Sequence, residues 1–457
     1  MLSATALNRF GLGARPDEPV PPDAQRWLLQ QLDRFETRPP ALASQPASGA
    51  ALAQYLAERR EVRQAADETA RVAAQQVYRR GSREAYVAAV GARTSAALQS
   101  NTPFAERLVH FWSNHFAVSI DKLPVVGLAG AYEADAIRPH VLGRFHDLLL
   151  AAVRHPAMLL YLDQAASIGP DSPAGRRLAQ RDETRRRGLN ENLAREVLEL
   201  HTLGVRSGYT QADVTEFARA LTGWSVAGLD TPPGAASPEG FVFRPMVHEP
   251  GTRTLLGRRY PEGGEEQALA VLRDLAASPA TARHVAAKLA RHFVADDPAP
   301  ALVQRLSDTF LQTGGDLPSV YRALVTAPEA AAPVPSKFKS PWDWTLSALR
   351  GLGRRDIAPQ QAVALFNQLA QPVWRPGSPA GWDDVAASWA APDALVRRVE
   401  LAQRIASQAG NAVDARDLAR RLLPGTLGEA TATQIARAES PGSALALLLV
   451  SPEFLRR

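Results

Sequence analysis

Leu189-Asn-Glu-Asn-Leu-Ala-Arg-Glu-Val-Leu-Glu-Leu-His-Thr-Leu-Gly204 reads as a helix. Leu193, Val197 and Leu200 recur at the three-to-four spacing of a face turned to a core. Asn190 suits the cap of a helix over 191–203, its side-chain oxygen taking an orphan backbone N–H, and Gly204 suits its end. Thr210-x-x-Asp213 then has the form of a capping box for a second helix over 211–222.

The same periodicity extends in both directions. Trp27, Leu28 and Leu32 mark a helix within 23–34, residues 50–99 form an Ala-rich, charge-laced run of one or two long helices, and Pro103 opens a helix with Phe104, Leu108, Phe111 and Trp112 on an apolar stripe. Further helices are expected around 125–135, 138–154 and 155–163, with a polar loop over 164–188. Between 226 and 262 the helical pattern stops, and Phe241-Val-Phe243 and Thr254-Leu-Leu-Gly257 suggest a small β-hairpin near 241–256. Helices resume after 263 and are broken by a Pro/Gly-rich stretch at 371–382. The expectation is a mainly α, multi-helix, bundle-like fold with one inserted hairpin. Its regions are 1–100, 101–225 carrying the candidate site, 226–262 and 263–457, packed as one compact unit.

Composition narrows the function. The 457 residues are 46% hydrophobic, enough for a large core, and carry a net charge of +5 with 52 Lys and Arg. Lysine is confined to Lys122, Lys288, Lys337 and Lys339, a skew typical of a GC-rich genome. The arginines alternate with acids along most helices, whereas a nucleic-acid face needs basic side chains gathered on one surface, so no nucleic-acid partner is expected. The densest group, Arg176, Arg177, Arg181, Arg185, Arg186 and Arg187, encloses Asp182 and Glu183 and reads as a solvated loop. With no cysteine, disulfides, thiolate metal sites and cysteine nucleophiles are excluded. No apolar stretch reaches the ~18–20 residues of a membrane span. The first residues show no signal-peptide pattern, so the chain is expected to be cytoplasmic, or exported if a leader was removed.

The polar surplus in 189–224 points to a site. Asn192, Glu196 and Glu199 follow i, i+4, i+7 spacing and line one helical face. Two carboxylates one turn apart can clamp a metal or act as an acid/base pair when half-buried, because desolvation and repulsion raise one of them; exposed, they form a solvated stripe beside Arg195. His201 at the helix end is expected to be favoured as a cation by the helix dipole. In Arg107-Leu-Val-His-Phe-Trp-Ser-Asn-His-Phe116, His110 and His115 are five apart and so on different faces. If the helix ends near Asn114, His115 turns with Asn114 into a cavity while Trp112 stays in the core. His248, in His248-Glu-Pro-Gly251 at the hairpin, is a third member. A His-His-carboxylate set suffices for a catalytic divalent metal, so His115, Glu196, Glu199 and His248 are the candidate catalytic and metal-binding residues. Asn114, Asn192, Arg195 as an anion anchor, and Trp224, Trp374 and Trp382 as walls are the candidate substrate-binding residues. In Gln371-Pro-Val-Trp-Arg-Pro-Gly-Ser-Pro-Ala-Gly-Trp382 the two indoles either plug the core or face a ligand. Lys339-Ser-Pro341 with Trp342 and Trp344 reads as a helix start with core aromatics and no chemistry. No metalloprotease, nucleophile-elbow, phosphate-loop or dinucleotide signature is present.

Leu7-Asn-Arg-Phe-Gly11, Phe111-Trp-Ser-Asn-His-Phe116, Ile137-Arg-Pro-His140, Pro156-Ala-Met-Leu-Leu-Tyr-Leu-Asp163, Asn190-Glu-Asn-Leu-Ala-Arg-Glu196, Leu200-His-Thr-Leu-Gly204, Ala220-Leu-Thr-Gly-Trp224 and Gln371-Pro-Val-Trp374, in that order over nearly the whole chain, resemble the bacterial family called domain of unknown function 1800. The resemblance implies a predominantly helical fold, frequent export, in several relatives behind twin-arginine leaders, and often a partner called domain of unknown function 1501 that is similar to sulfatases and alkaline phosphatases. This chain carries Glu249 where that family has Asp and Leu193 where it has Tyr. The expected function is an enzyme, a metal-assisted hydrolase of a polar envelope or extracellular substrate. The alternative is a non-catalytic helical scaffold or adaptor for the phosphatase-like partner, its polar residues forming a satisfied buried network.

Overall fold

Helix Pro341–Gly351 has no outward face: all of its residues are buried. A helix enclosed on every side must sit between cores, and this one does. Trp342, Leu346 and Leu349 join the larger core, while Trp344 and Ala348 join a second one with Leu401, Leu418, Leu445 and Phe454. The computed structural model describes residues 1–181, 188–229, 237–332 and 336–457, and its architecture is mainly helical around these two cores.

The Ala-rich run forms two helices, Ser48–Gln64 and Glu68–Gln99, the second starting at Asp67, whose side chain accepts from the Ala70 N–H. The last carbonyls of Glu68–Gln99 would be orphaned in the interior. Arg350 Nη1 reaches Ala97, Leu98 and Ser100 O at 3.0, 3.1 and 3.1 Å, bringing positive charge to the helix C-terminus. Arg350 Nε also donates to Gly13 O. Gly13 has φ 101°, and a Cβ there would lie 2.8 Å from Ser347 Cα, so the N-terminal segment lies against the central helix only because residue 13 is glycine.

Helix Pro103–His115 opens at its proline, where the missing N–H is harmless, and Gln31 Oε1 accepts the Phe104 N–H. Phe104, Leu108 and Trp112 lie in the core, where Phe10, Phe293 and Tyr321 pack on Phe104 and Trp112 Nε1 donates to Tyr321 OH at 2.6 Å. On the next face Arg107 Nη1 meets Asp343 Oδ1 at 2.8 Å, and Arg457 Nε approaches Asp343 Oδ2 at 3.1 Å. The C-terminal residue is thereby tied to the centre of the molecule.

Several local expectations change. The expected 191–203 helix is an α-helical turn, Asn192–Glu196, continued as a π-turn, Val197–His201. Asn190 Oδ1 accepts from the Asn192 N–H, and its amide donates to Leu162 and Asp163 O. The Thr210/Asp213 capping box is present on helix Gln211–Leu221. The 164–188 stretch is not all loop: Pro173–Arg181 is helical and carries Arg176 and Arg177, while Asp182, Glu183, Arg185, Arg186 and Arg187 lie outside the described residues. The hairpin near 241–256 resolves into two antiparallel pairs. Phe241–Phe243 pairs back onto Trp224–Val226, and Arg253–Leu255 pairs with Arg258–Tyr260. The latter turns at Leu256 (φ 51°) and Gly257 (φ 75°), the two positive φ values of a type I′ turn. Among the described residues no helix is long and apolar enough to cross a membrane.

Asp343→Asn should be strongly destabilising, because Arg107 would remain buried without its counter-charge and Arg457 would keep only Asp384 at 3.5 Å, a loss of about 3–5 kcal/mol. Urea denaturation with an unchanged midpoint would contradict the central role of this ion cluster.

Candidate functional site

Five elements line a cavity of about 290 Å³, among them helix Glu68–Gln99 through Arg93. Helix Pro103–His115 contributes Arg107, His110, Phe111 and Asn114, an i, i+3, i+4, i+7 stripe, with His115 at its end. Helix Pro279–Phe293 contributes Lys288, Arg291 and His292, the start of Pro341–Gly351 contributes Trp342 and Asp343, and the 371–385 segment contributes Trp374, Trp382 and Asp384.

Aromatic and charged groups alternate around the cavity. The Arg93 guanidinium lies 4.1 Å from the Trp342 ring centroid and 5.5 Å from that of Trp374, and its Nε reaches the Glu133 carboxylate at 2.8 and 2.9 Å. Glu133 also accepts from Ser113 Oγ and Trp374 Nε1. Burial pushes Glu133 upward, but Arg93 and the hydrogen bonds prevail and hold it below the usual carboxylate value. Trp374 has φ 51°, a left-handed conformation that is strained for a bulky side chain. It is held there by the Ile120 N–H on its carbonyl and by Glu133 on its indole.

The 371–385 segment is clamped by Asn114. Its Oδ1 accepts from the Trp382 N–H at 2.7 Å and its Nδ2 donates to Trp382 O at 2.8 Å. Gly381 beside it has φ 82°, and a Cβ there would fall 2.3 Å from Asn114 O. Asn114 therefore lines the cavity as the residue that positions the tryptophan loop, with its amide already occupied.

His292 Nδ1 lies 2.5 Å from Asp384 Oδ2, and Nε2 has no hydrogen-bond partner. This geometry assigns the proton to Nδ1 and leaves a lone pair on Nε2. Burial lowers His292 to about 4 despite Asp384, so the ring is neutral near pH 7. Asp384 also receives Lys337 Nζ at 3.3 Å and Arg457 Nη2 at 3.5 Å. One turn before His292, Lys288 makes no hydrogen bond or ion pair with any described residue. Burial lowers its ammonium to about 8, with Asp384 opposing the shift.

Of the residues expected from sequence, His115, Asn114, Trp374 and Trp382 meet at this cavity. His115 turns inward as anticipated, and its Nε2 lies 3.1 Å from His201 O. Glu196, Glu199, Asn192, Arg195, His248 and Trp224 do not line it. Glu196 is half-buried and raised by burial and by Glu199, the expected coupling, while Glu199 accepts from Tyr209 OH. Asn192 is exposed, and Arg195 is held by Glu191 at 3.0 Å and by Gln211. Trp224 is buried beneath Arg154. His248 Nδ1 lies 2.8 Å from Thr222 O, and the Glu249 N–H donates to Thr222 Oγ1, so the His-Glu motif ties the strand insertion to the end of helix Gln211–Leu221. The set His115, Glu196, Glu199 and His248 is not assembled into a metal site: among the described residues no three His, Asp or Glu form a group suited to a cation. His201 is fully buried and lowered to about 3 by burial, so desolvation overrides the helix-end field that was expected to favour its cation.

Lys288, His292 and Asp384 were not singled out in the sequence. The available signal was the i, i+4, i+8 series His284, Lys288, His292 on an Ala-rich helix, strengthened by the scarcity of lysine.

Two outcomes follow. Gly381→Ala forces both a left-handed alanine and a contact with Asn114, and should cost at least about 1–2 kcal/mol with a shift in tryptophan emission; wild-type stability and emission would refute the clamp. Burial keeps His110, His115, His155, His201, His284 and His292 neutral in the fold. Below pH ~6.5 the unfolded chain takes up protons there that the folded chain does not, so stability rises with pH and is lost as pH falls toward 4, by about 1.4 kcal/mol per pH unit for each proton. Urea midpoints at pH 7, 6 and 5 should drop steeply; a flat series would count against neutral buried rings.

No curated protein and no solved structure matches this chain. A family model described as "Protein of unknown function (DUF1800)" matches residues 5–456, in agreement with the ordered motifs, and the chain belongs to that family.

Proposed function

We propose that this protein is an enzyme that works by proton transfer in the 290 Å³ cavity, with His292 as general base. The observation that carries this reading is the His292 Nδ1–Asp384 Oδ2 contact of 2.5 Å, with Nε2 unpartnered, at a cavity walled by Trp342, Trp374 and Trp382. A carboxylate on Nδ1 fixes the tautomer and stabilises the imidazolium formed when Nε2 accepts a proton. The favoured reaction is hydrolysis. Nε2 takes a proton from water, the water oxygen bonds to the acyl or phosphoryl centre, the bond from that centre to the leaving oxygen breaks, and the imidazolium gives its proton to that oxygen. No step is routed through a metal, since the residues expected to bind one are dispersed.

The scaffold alternative regards His292 and Asp384 as links in the buried network around Asp343. The two readings separate on one variant. His292→Gln, which retains a donor toward Asp384, should leave the urea midpoint close to wild type and reduce turnover by about 10²–10⁴-fold on whichever member of a nitrophenyl carboxylate, phosphate and sulfate ester panel the wild type cleaves. No wild-type turnover on the panel, or equal turnover by the variant, would count against the enzyme reading.

A further inference from the structure

The cations around the cavity outnumber the carboxylates available to them. Asp343 is shared by Arg107 and Arg457, Asp384 by Lys337 and Arg457 and by the neutral His292 ring, Asp296 is taken by Lys337, and Glu133 is taken by Arg93. Asp383 is exposed and accepts from Ser388 Oγ. Lys288 is left with no ion pair or hydrogen bond among the described residues, and Arg107 Nη2 is buried without a partner. Both residues line the cavity. A buried guanidinium N–H without a partner is costly unless an acceptor arrives, and half-buried Lys288 adds a positive charge with no carboxylate of its own, whereas the open positions on His292 and His115, given their observed contacts, are lone pairs.

We infer that the substrate carries an oxyanion, a carboxylate, phosphate or sulfate group, which Lys288 binds as counter-ion with Arg107 as a second donor. Lys288 and His292 are four residues apart on helix Pro279–Phe293, which sets their Cβ atoms about 5–6 Å apart. The bound oxyanion therefore lies within a few bonds of the atom on which His292 acts. With a cavity of about 290 Å³, the ligand is a small acid whose reacting centre is close to its charged group, as in a short acyl or phosphoryl ester of a hydroxy acid. Lysine suits this seat because its compact ammonium is a point charge without the fixed geometry of a guanidinium. The inference names the substrate class of the reaction proposed above and rests on that reading for catalysis, but the binding it describes can be measured without turnover.

The wild-type protein supplies its own internal control. Lysines are labelled with a limiting amine acylating reagent and quantified by mass spectrometry, with inorganic phosphate, sulfate, acetate or malonate present and chloride matching the ionic strength. Labelling of Lys288 should slow at least fivefold at a saturating oxyanion, while half-exposed Lys122, already paired with Asp163 and away from the cavity, is unchanged. Protection by phosphate and sulfate alone assigns a tetrahedral group to the substrate, and protection by acetate or malonate alone assigns a carboxylate. Calorimetric titration of the protecting anion should give at least tenfold weaker binding to Lys288→Met, with affinity retained in His292→Gln. No protection by any oxyanion beyond chloride, equal protection of Lys122, or undiminished binding to Lys288→Met would overturn the inference. Anion binding with intact affinity but no turnover would overturn the general-base reading alone, and ester turnover without anion binding would overturn this inference alone.

Discussion

One buried carboxylate organises this molecule. Asp343 sits on a helix with no exposed face and is held by Arg107 from helix Pro103–His115 and by Arg457 at the C-terminus. Two guanidinia on one carboxylate leave the surroundings electropositive, and in a desolvated interior that field acts on every neighbour. Burial together with nearby arginines brings Lys339 to about 7 and holds His292 near 4, each against an opposing carboxylate. The arginines of this tie thus add to what burial does to the protonation of the cavity beside it.

Polar motifs distributed along the chain act mainly as ties between elements distant in sequence. Arg138 grips Glu106 in two parallel hydrogen bonds of 2.7 and 2.9 Å and also donates to Thr37 O, fixing the short 3-10 turn Arg138–His140 to helix Pro103–His115 in the bidentate geometry that only arginine provides. Asn8 donates to Leu422 O, Thr222 receives His248 and Glu249, and Asn114 brackets Trp382. Each tie satisfies a backbone group that burial would otherwise leave without a partner. That is why a largely apolar chain retains so many buried polar side chains, and why most of them are unavailable to a ligand.

This division explains what was legible in the sequence. Helix Pro103–His115 announced itself by its proline and its apolar stripe, and the inward turn of His115 followed from where that stripe ended. The Thr210/Asp213 cap was equally local. Glu196 and Glu199 were correctly placed on one face and correctly coupled, but periodicity says nothing about which neighbours a polar face meets, and their face lies away from the cavity. Strand Phe241–Phe243 was visible as a strand, whereas its pairing with Trp224–Val226 lay hidden because those residues follow directly on a helix and carry no alternation of their own. His292 and Asp384 are 92 residues apart, one on a helix that reads as scaffold and the other beyond a proline-rich loop. Only the packing of those two elements makes them a pair.

The use of lysine carries the reading further than any spacing does. Of 52 basic residues only Lys122, Lys288, Lys337 and Lys339 are lysines, and the last three are gathered around the cavity and its charge network. Elsewhere, Lys122 apart, this chain places arginine where a positive charge is needed. At Lys337 and Lys339 a guanidinium would be wrong for distinct reasons. Lys337 reaches both Asp296 and Asp384 at 2.5 and 3.3 Å from one nitrogen, a compact arrangement that suits a point charge. Lys339 is fully buried 4.2 Å from the Phe454 ring centroid with no hydrogen-bond partner for its nitrogen, which is tolerable only for a group able to release its proton, as arginine cannot. Lys288 has neither arrangement: it is half-buried, holds no carboxylate and lines the cavity. A composition set broadly by the genome is thus broken where the chemistry of the head group matters, and one of these lysines, Lys288, shares helix Pro279–Phe293 with His292.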